Sequence, residues 1–282
     1  MVTDENGSEI KDIGRLLKWM RLDKNRWKLR LQRTRITCQK VSKAVARITS
    51  EIEIISTEFN REIESKVKQI PEWERWMKYV TGASANLFGQ IYSFISWKKV
   101  KSCSSLPSYV GIGKEKGNKY VKSLTIQQAS LFCGYNSPTV KKLKMGIVRV
   151  KKSAYARFFQ EELIRYSKKF VNGEERFKEF TPRNLVLYCL TNTAQLWLSH
   201  LTMTHFWLNH KVLMLPYSVV HAGHEWLYLP PLDKKNSETW VNELEQAIYE
   251  KGVKPVEMES EVLSPSEVEE ALPEEYIKQL NS

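Results

Sequence analysis

The chain has 282 residues and a formal net charge of +12, with 42% hydrophobic and 11% aromatic residues. That is enough apolar material for a sizeable core in one large domain or two small ones, and no run of about 18 apolar residues marks a membrane span. The four cysteines, Cys38, Cys103, Cys133 and Cys189, form no CxxC unit, which excludes a zinc ribbon or thioredoxin-like motif and suits reduced thiols in a cytoplasmic protein.

The start, Met-Val-Thr-Asp-Glu-Asn-Gly, is polar and acidic and does not read as a signal peptide. Residues 1–10 read as disordered. Residues 11–37 are dense in Lys and Arg, interrupted by Leu16, Leu17, Trp19, Met20 and Trp27. This pattern suits a basic amphipathic helix that meets nucleic acid or an anionic surface. From Val41 the apolar spacing becomes regular. Val41, Val45, Ile48, Ile52, Ile55 and Phe59 follow a 4-3-4-3-4 pattern, and Ile63, Val67 and Ile70 continue it after one extra residue. A seam of that period predicts a coiled-coil helix over 38–71 with a local stutter. The partner helix comes from a second copy, giving a homodimer, or from the chain's own domain.

Pro71 ends that helix, since it lacks an N–H and disfavours helix just before it. A helix over Glu72 to Tyr79 with Trp73, Trp76, Met77 and Val80 on one face follows. The tight turn Thr81-Gly82-Ala83-Ser84-Ala85 then leads to a second helix with Leu87, Ile91, Phe94 and Ile95. Such a hairpin can offer backbone N–H groups to a phosphate, with Gly82 as the candidate. More often it only joins two packed helices.

Residues 97–152 carry Lys98, Lys99, Lys101, Lys114, Lys116, Lys119, Lys122, Lys141, Lys142, Lys144, Arg149, Lys151 and Lys152, against the single acid Glu115. Tyr109, Tyr120, Phe132 and Tyr135 are interleaved with several glycines. Cations displace counterions from phosphates and aromatic faces stack on bases, so these cations, Lys122 excepted, are the candidate nucleic-acid contacts. The loop at Gly111 to Asn118 lacks the GKS or GKT ending of a P-loop. Ser137-Pro138 and Thr181-Pro182 read as helix starts, Asn172-Gly173 as a stop. A long aromatic-rich helix runs from Thr181 to about Leu208. Residues 233–282 form an acidic tail with a net charge of about −8 by count. It ends in a loosely held helix that folds back on a basic surface or keeps the protein soluble.

Catalytic groups are scarce. The aspartates are Asp4, Asp12, Asp23 and Asp233, too dispersed to converge on the Mg²⁺ of a nuclease. Glu161, Glu162, Glu174, Glu175 and Glu179 read as a polar helix face and its adjoining loop. His200, His205 and His210 are spaced by five, about 140° apart per step on a helix, so they do not share a face. His221 and His224 form a local pair without an evident third ligand. They read as hydrogen-bonded histidines of an aromatic core. No catalytic residue, metal site or cofactor is assigned.

The order of these segments resembles a known family. The coiled coil precedes Trp73-Glu-Arg-Trp-Met-Lys-Tyr-Val-Thr-Gly-Ala. Leu106-Pro-Ser-Tyr109-Val-Gly111-Ile-Gly113, Tyr135-Asn136-Ser-Pro, and Tyr155 with Tyr166 follow. Leu215-Pro216-Tyr217, Gly223-His224 and Pro230-Pro231 close the series. This is similar to the C-terminal part of the Piv-like, DEDD-type transposases and invertases of insertion sequences, over about Ile36 to Pro231. The family's hairpin motif GIGP stands here as Gly82-Ala83-Ser84-Ala85, its nuclease domain is absent, and for its catalytic serine only Ser123 lies in the neighbourhood, in surroundings that do not match. The resemblance implies a mainly α protein with a helical, helix-hairpin-helix-like DNA-binding domain over 72–232. It also implies binding of DNA, with RNA as the alternative, and dimerisation without catalysis. The competing expectations are a recombinase subunit that borrows carboxylates from a partner, and an interaction protein with a basic face.

Overall fold

The computed structural model describes residues 4–33, 39–112, 118–134, 153–215, 229–233, 240–251, 263 and 265–281. These are helical and irregular, with no strand among them, so the protein is mainly α. The chain divides into two compact units, Met1–Ile70 with Ala85–Ile95, and Pro71–Ser84 with Ser96–Ser282. This differs from the division expected from composition, because the boundary falls inside the hairpin around Gly82.

The first unit is built from α1 (Asp4–Arg33), α2 (Gln39–Val67) and α4 (Ala85–Tyr92). α1 begins inside the stretch expected to be disordered, and Ile10 is buried. Lys24 pairs with Glu53 and Lys66 with Glu9, so α1 and α2 run antiparallel. α2 therefore has a partner helix within its own chain. Its apolar seam is split by this pairing. Val45, Ile63, Val67 and Ile70 are buried, Ile52 and Phe59 half-buried, and Val41, Ile48 and Ile55 exposed. α4 docks by close approach at two glycines. A Cβ on Gly14 of α1 would lie 1.9 Å from Ser93 Oγ, and one on Gly89 would lie 2.5 Å from a Val67 methyl.

The second unit is organised around α8 (Pro182–His210). Thr181 caps it by accepting from Asn184 N at 3.2 Å, and Pro182 occupies the first turn. Seventeen of its residues are buried on nearly all sides, as befits a helix at the centre of a core. α3 (Pro71–Arg75), α5 (Ser105–Val110), α6 (Lys119–Phe132) and α7 (Ala154–Val171) pack on it. Pro71 thus opens a helix, α2 having already ended at Val67. Asn172 and Gly173 close α7, with Gly173 at φ 67°. α8 ends at Lys211, at φ 54°, ahead of Pro216. Of the glutamates read as a polar face, Glu162 is buried and accepts from Asn192 Nδ2 at 2.7 Å.

Three short helices complete this unit, α9 (Trp240–Glu250), α10 (Pro265–Ala271) and α11 (Glu274–Asn281). The acidic tail is expected to fold back on a basic surface or to keep the protein soluble, its last helix loosely held. Its docking is apolar: Val268, Leu272 and Tyr276 are buried in one cluster with Leu163, Leu185 and Cys189.

Cys103, Cys133 and Cys189 are buried and unpaired by disulfide, and Cys38 lies outside the described residues. Burial pushes the Cys103 thiol up to about 12 and the Tyr166 phenol up to about 12. Burial also raises the Cys133 and Cys189 thiols and the Tyr155 and Tyr276 phenols. Each raised group keeps its proton in the folded state after the unfolded chain has begun to release it. Stability is then intact below the unfolded thiol value of about 8.5 and is lost as pH rises toward about 12. Urea midpoints measured through that window are expected to be level to about pH 8 and to fall steadily above it. A level profile into the alkaline range would contradict the burial of these groups.

Candidate nucleic-acid interface

The basic surface is best defined at a short 3-10 turn, Trp97–Lys99. Lys98 and Lys99 are exposed on it, and Lys101 follows two residues later, also exposed. The turn is fixed from both sides. Val100 is buried. Ser105 Oγ accepts from Lys101 N at 3.0 Å and Ser102 N at 3.1 Å, and donates to Ser102 O at 2.7 Å. Cys103 Sγ approaches Met214 O at 3.2 Å.

The strongest hold on the turn is Trp97 itself. Its indole stacks on the His205 ring at 3.6 Å between centroids and 5° between planes, and meets Phe206 edge-on. His205 Nδ1 in turn donates to Glu72 Oε1, since a carboxylate has only acceptors to offer. Asn209 Nδ2 donates to the same oxygen at 3.0 Å. Glu72 is fully buried, and its Oε2 has no hydrogen-bond partner among the described residues. A buried carboxylate on α3 therefore orients an imidazole on α8, and the imidazole supports the tryptophan that carries two lysines. Sequence reasoning missed Glu72, and it read His205 only as a core histidine. Nothing local announces a pair separated by 133 residues.

Lys119 is exposed at the first position of α6, where Asn118 Oδ1 accepts from Val121 N at 3.5 Å. None of Lys98, Lys99, Lys101 and Lys119 forms an ion pair among the described residues. An unneutralised lysine keeps its full field for an external anion. Lys114, Lys116, Lys141, Lys142, Lys144, Arg149, Lys151 and Lys152 lie outside the described residues.

Gly82, the candidate for a backbone contact to phosphate, lies in the turn between the two helices of the hairpin. It sits at φ 86°, where a Cβ would be 2.3 Å from Leu131 O. The donors around it are committed internally. Thr81 N donates to Asp233 Oδ2 at 2.6 Å, Ala83 N to Val80 O at 3.2 Å and Ser84 N to Gln128 Oε1 at 3.1 Å. Gln128 Nε2 returns a bond to Gly82 O at 3.0 Å. Asp233 Oδ1 also accepts from Ala154 N at 3.0 Å. The residue expected to begin an acidic tail thus ties the turn to the start of α7.

His200, another residue of the histidine group, serves the core. His200 is buried and hydrogen-bonded to Tyr155 Oη at 2.8 Å. No group of three or more metal-ligating side chains is present among the described residues, and His221 and His224 lie outside them. No helix among them is long and apolar enough to cross a membrane.

No family model matches this chain, and no curated protein or solved structure gave a significant match.

Proposed function

We propose that this protein binds nucleic acid, DNA in the first instance, as a non-catalytic homodimeric relative of insertion-sequence transposases. The observation that carries the reading is the Trp97–Lys99 turn. It presents Lys98 and Lys99, with Lys101 beside them, free of acidic partners among the described residues, on a support anchored by Glu72 and His205. Exposed cations on a fixed backbone lose less freedom on meeting a phosphate than cations on a loose one. The turn opens the 97–152 stretch, which holds a single acid, so the local field favours a polyanion along its length.

The test is fluorescence anisotropy of a labelled duplex and a labelled single strand across a salt series. Binding should fall steeply with salt. Replacing Lys98, Lys99 and Lys101 together by Ala should flatten the duplex slope by about 2–3 units. The same is expected for any three of Lys141, Lys142, Lys144, Lys151 and Lys152. Absence of binding at low salt, or a slope unchanged in both triple variants, would remove the nucleic-acid reading. It would turn attention to an acidic protein as the partner.

A further inference from the structure

Between Asp23 and Glu51 the sequence holds nine Lys and Arg and no acid. The fold gathers them in one place. α1 and α2 run antiparallel, with Lys24 paired to Glu53 and Lys66 to Glu9. The second half of α1 and the first half of α2 therefore share one end of the hairpin, and in that register Lys28 is level with the Ile48 turn. The opposite end is acidic and packed. It carries Asp4, Glu5, Glu9 and Asp12 of α1, and α4 lies there against Gly14 of α1 and Asn60, Ile63 and Val67 of α2.

The basic end is open. Asn25, Arg26, Trp27, Lys28 and Leu29 are all exposed, and five consecutive residues at 100° steps go round the whole circumference of a helix. On α2 the positions of Lys40, Lys43 and Arg47 recur at i, i+3 and i+7, which sets them on one stripe, and Lys43 and Arg47 are exposed. Internal pairing leaves this end far from neutral. Arg26 bonds to Asp23 and Arg47 to Glu51 within their own helices. Lys28 and Lys43 form no ion pair among the described residues. The bond from Lys24 holds the Glu53 carboxyl below its usual value, and Lys28 adds a smaller pull. With Arg21 and the acids Asp23, Glu51 and Glu53 all included, residues 21–53 keep a net charge of +7.

Charge of one sign held this closely works against the folded state. α2 adds to the strain, because its first turn holds Lys40 and no acid, at the positive end of the helix dipole. Stability favours an acid there, and a polyanionic partner favours a lysine. The arrangement also selects among polyanions. A helix that lies on a membrane keeps its cations off one apolar face. Arg26 and Lys28 stand about 200° apart around α1 with Trp27 between them, so no broad side is free of charge. Five of the nine cations are Arg, whose planar fork suits the two free oxygens of a phosphodiester. The end of a two-helix hairpin is convex, so it meets the outer backbone of a duplex, whereas a single strand is held in a groove.

We propose that the basic end of the α1–α2 hairpin is a second nucleic-acid contact, in which Lys28 and Lys43, with Arg26 and Arg47 beside them, hold the phosphate backbone of a DNA duplex. The contact lies on the other compact unit from the Trp97–Lys99 turn. It rests on the nucleic-acid reading of the protein and gives that reading a second point of attachment. Contacts of this kind fix position on a duplex without reading its sequence.

The experiment is lysine acetylation of the full chain with and without a DNA duplex of arbitrary sequence, read residue by residue by mass spectrometry. Lys28 and Lys43 should react severalfold more slowly with duplex present, and the protection should disappear at high salt. Lys11, exposed on the acidic end of the same helix, should react equally in both. Lys28→Ala with Lys43→Ala should flatten the salt slope of duplex binding by about 2 units, with an unchanged circular dichroism spectrum, because both side chains are exposed. Protection of Lys98 and Lys99 without Lys28 and Lys43 would overturn this proposal and leave the nucleic-acid reading standing. Protection of Lys28 and Lys43 alone would support the proposal and remove the Trp97–Lys99 turn from the interface. A duplex that protects no lysine would overturn both. Protection by phosphatidylserine vesicles but not by duplex, protection that extends equally to Lys11, or a salt slope unchanged in the double variant would each overturn the proposal.

Discussion

Replacing Gly82 by alanine is expected to destabilise the protein by about 4 kcal/mol, whereas the same replacement at Gly173 costs about 1 kcal/mol. Both glycines have positive φ, 86° and 67°. The left-handed conformation alone therefore penalises each to a similar degree. They differ in what the new methyl group meets. At Gly173 nothing lies within 4 Å, while at Gly82 the methyl would fall 2.3 Å from Leu131 O and 2.8 Å from Leu131 C. Backbone atoms at the end of α6 cannot swing aside as a side chain can. The turn would have to move away, stretching the Gln128 bonds to Gly82 O and Ser84 N and the Asp233 bond to Thr81 N. Chemical denaturation of the two variants side by side checks this. Equal losses would mean that Gly82 is retained for φ alone.

Removing residues 263–282 is expected to cost about 5 kcal/mol, taken as an upper estimate from burial, and the loss should be nearly independent of salt. Val268, Leu272 and Tyr276 leave the cluster they share with Leu163 and Leu185. Tyr276 also donates to Pro182 O at 3.2 Å and meets Phe170 edge-on. Gln160 loses two backbone bonds to Leu263, at 2.9 and 3.1 Å. The charges of this segment contribute little by comparison. Glu274 and Lys278 pair at 3.7 Å with both side chains largely exposed, a geometry worth under about 1 kcal/mol. Tyr276→Ala alone should remove about 3 kcal/mol, and Lys278→Ala almost nothing. Thermal melts at low and high salt separate the two mechanisms. A tail whose contribution vanishes at high salt would be electrostatically held after all.

Local signals were read from the sequence with success where the physics is local. Thr181-Pro182 and Asn172-Gly173 mark helix ends because a cap and a left-handed residue act within one turn of backbone. The apolar spacing from Val41 identified a long helix and its inner positions Val45, Ile63 and Val67. It could not distinguish positions that face α1 from Val41, Ile48 and Ile55, because both sets obey the same period. The turn at Gly82 was visible, but its neighbours were not. Gln128 and Asp233 come from distant parts of the chain. Glu72 illustrates the same limit at the candidate interface. A glutamate between Pro71 and Trp73 reads as a solvated first-turn acid, and only the packing of α3 on α8 buries it against His205. The exposure of Lys98, Lys99, Lys101 and Lys119 was legible from charge alone, whereas the stacked ring beneath Lys98 and Lys99 was not.

The first compact unit is assembled from two separate lengths of chain, with residues 71–84 passing into the other unit between them. During synthesis from the N-terminus, the hairpin of α1 and α2 emerges before α4. Until α4 arrives, Gly14, Ile63 and Val67 present an open apolar surface. A fragment that stops at Ile70 would carry that surface permanently and would tend to associate through it, for a reason the whole chain does not share. The shortest fragment able to close this core ends after Ile95 and carries residues 71–84 as an excursion cut off from the rest of its own unit. Dissection of this protein into its two units has no clean cut, since its order of assembly is interleaved with its order in sequence.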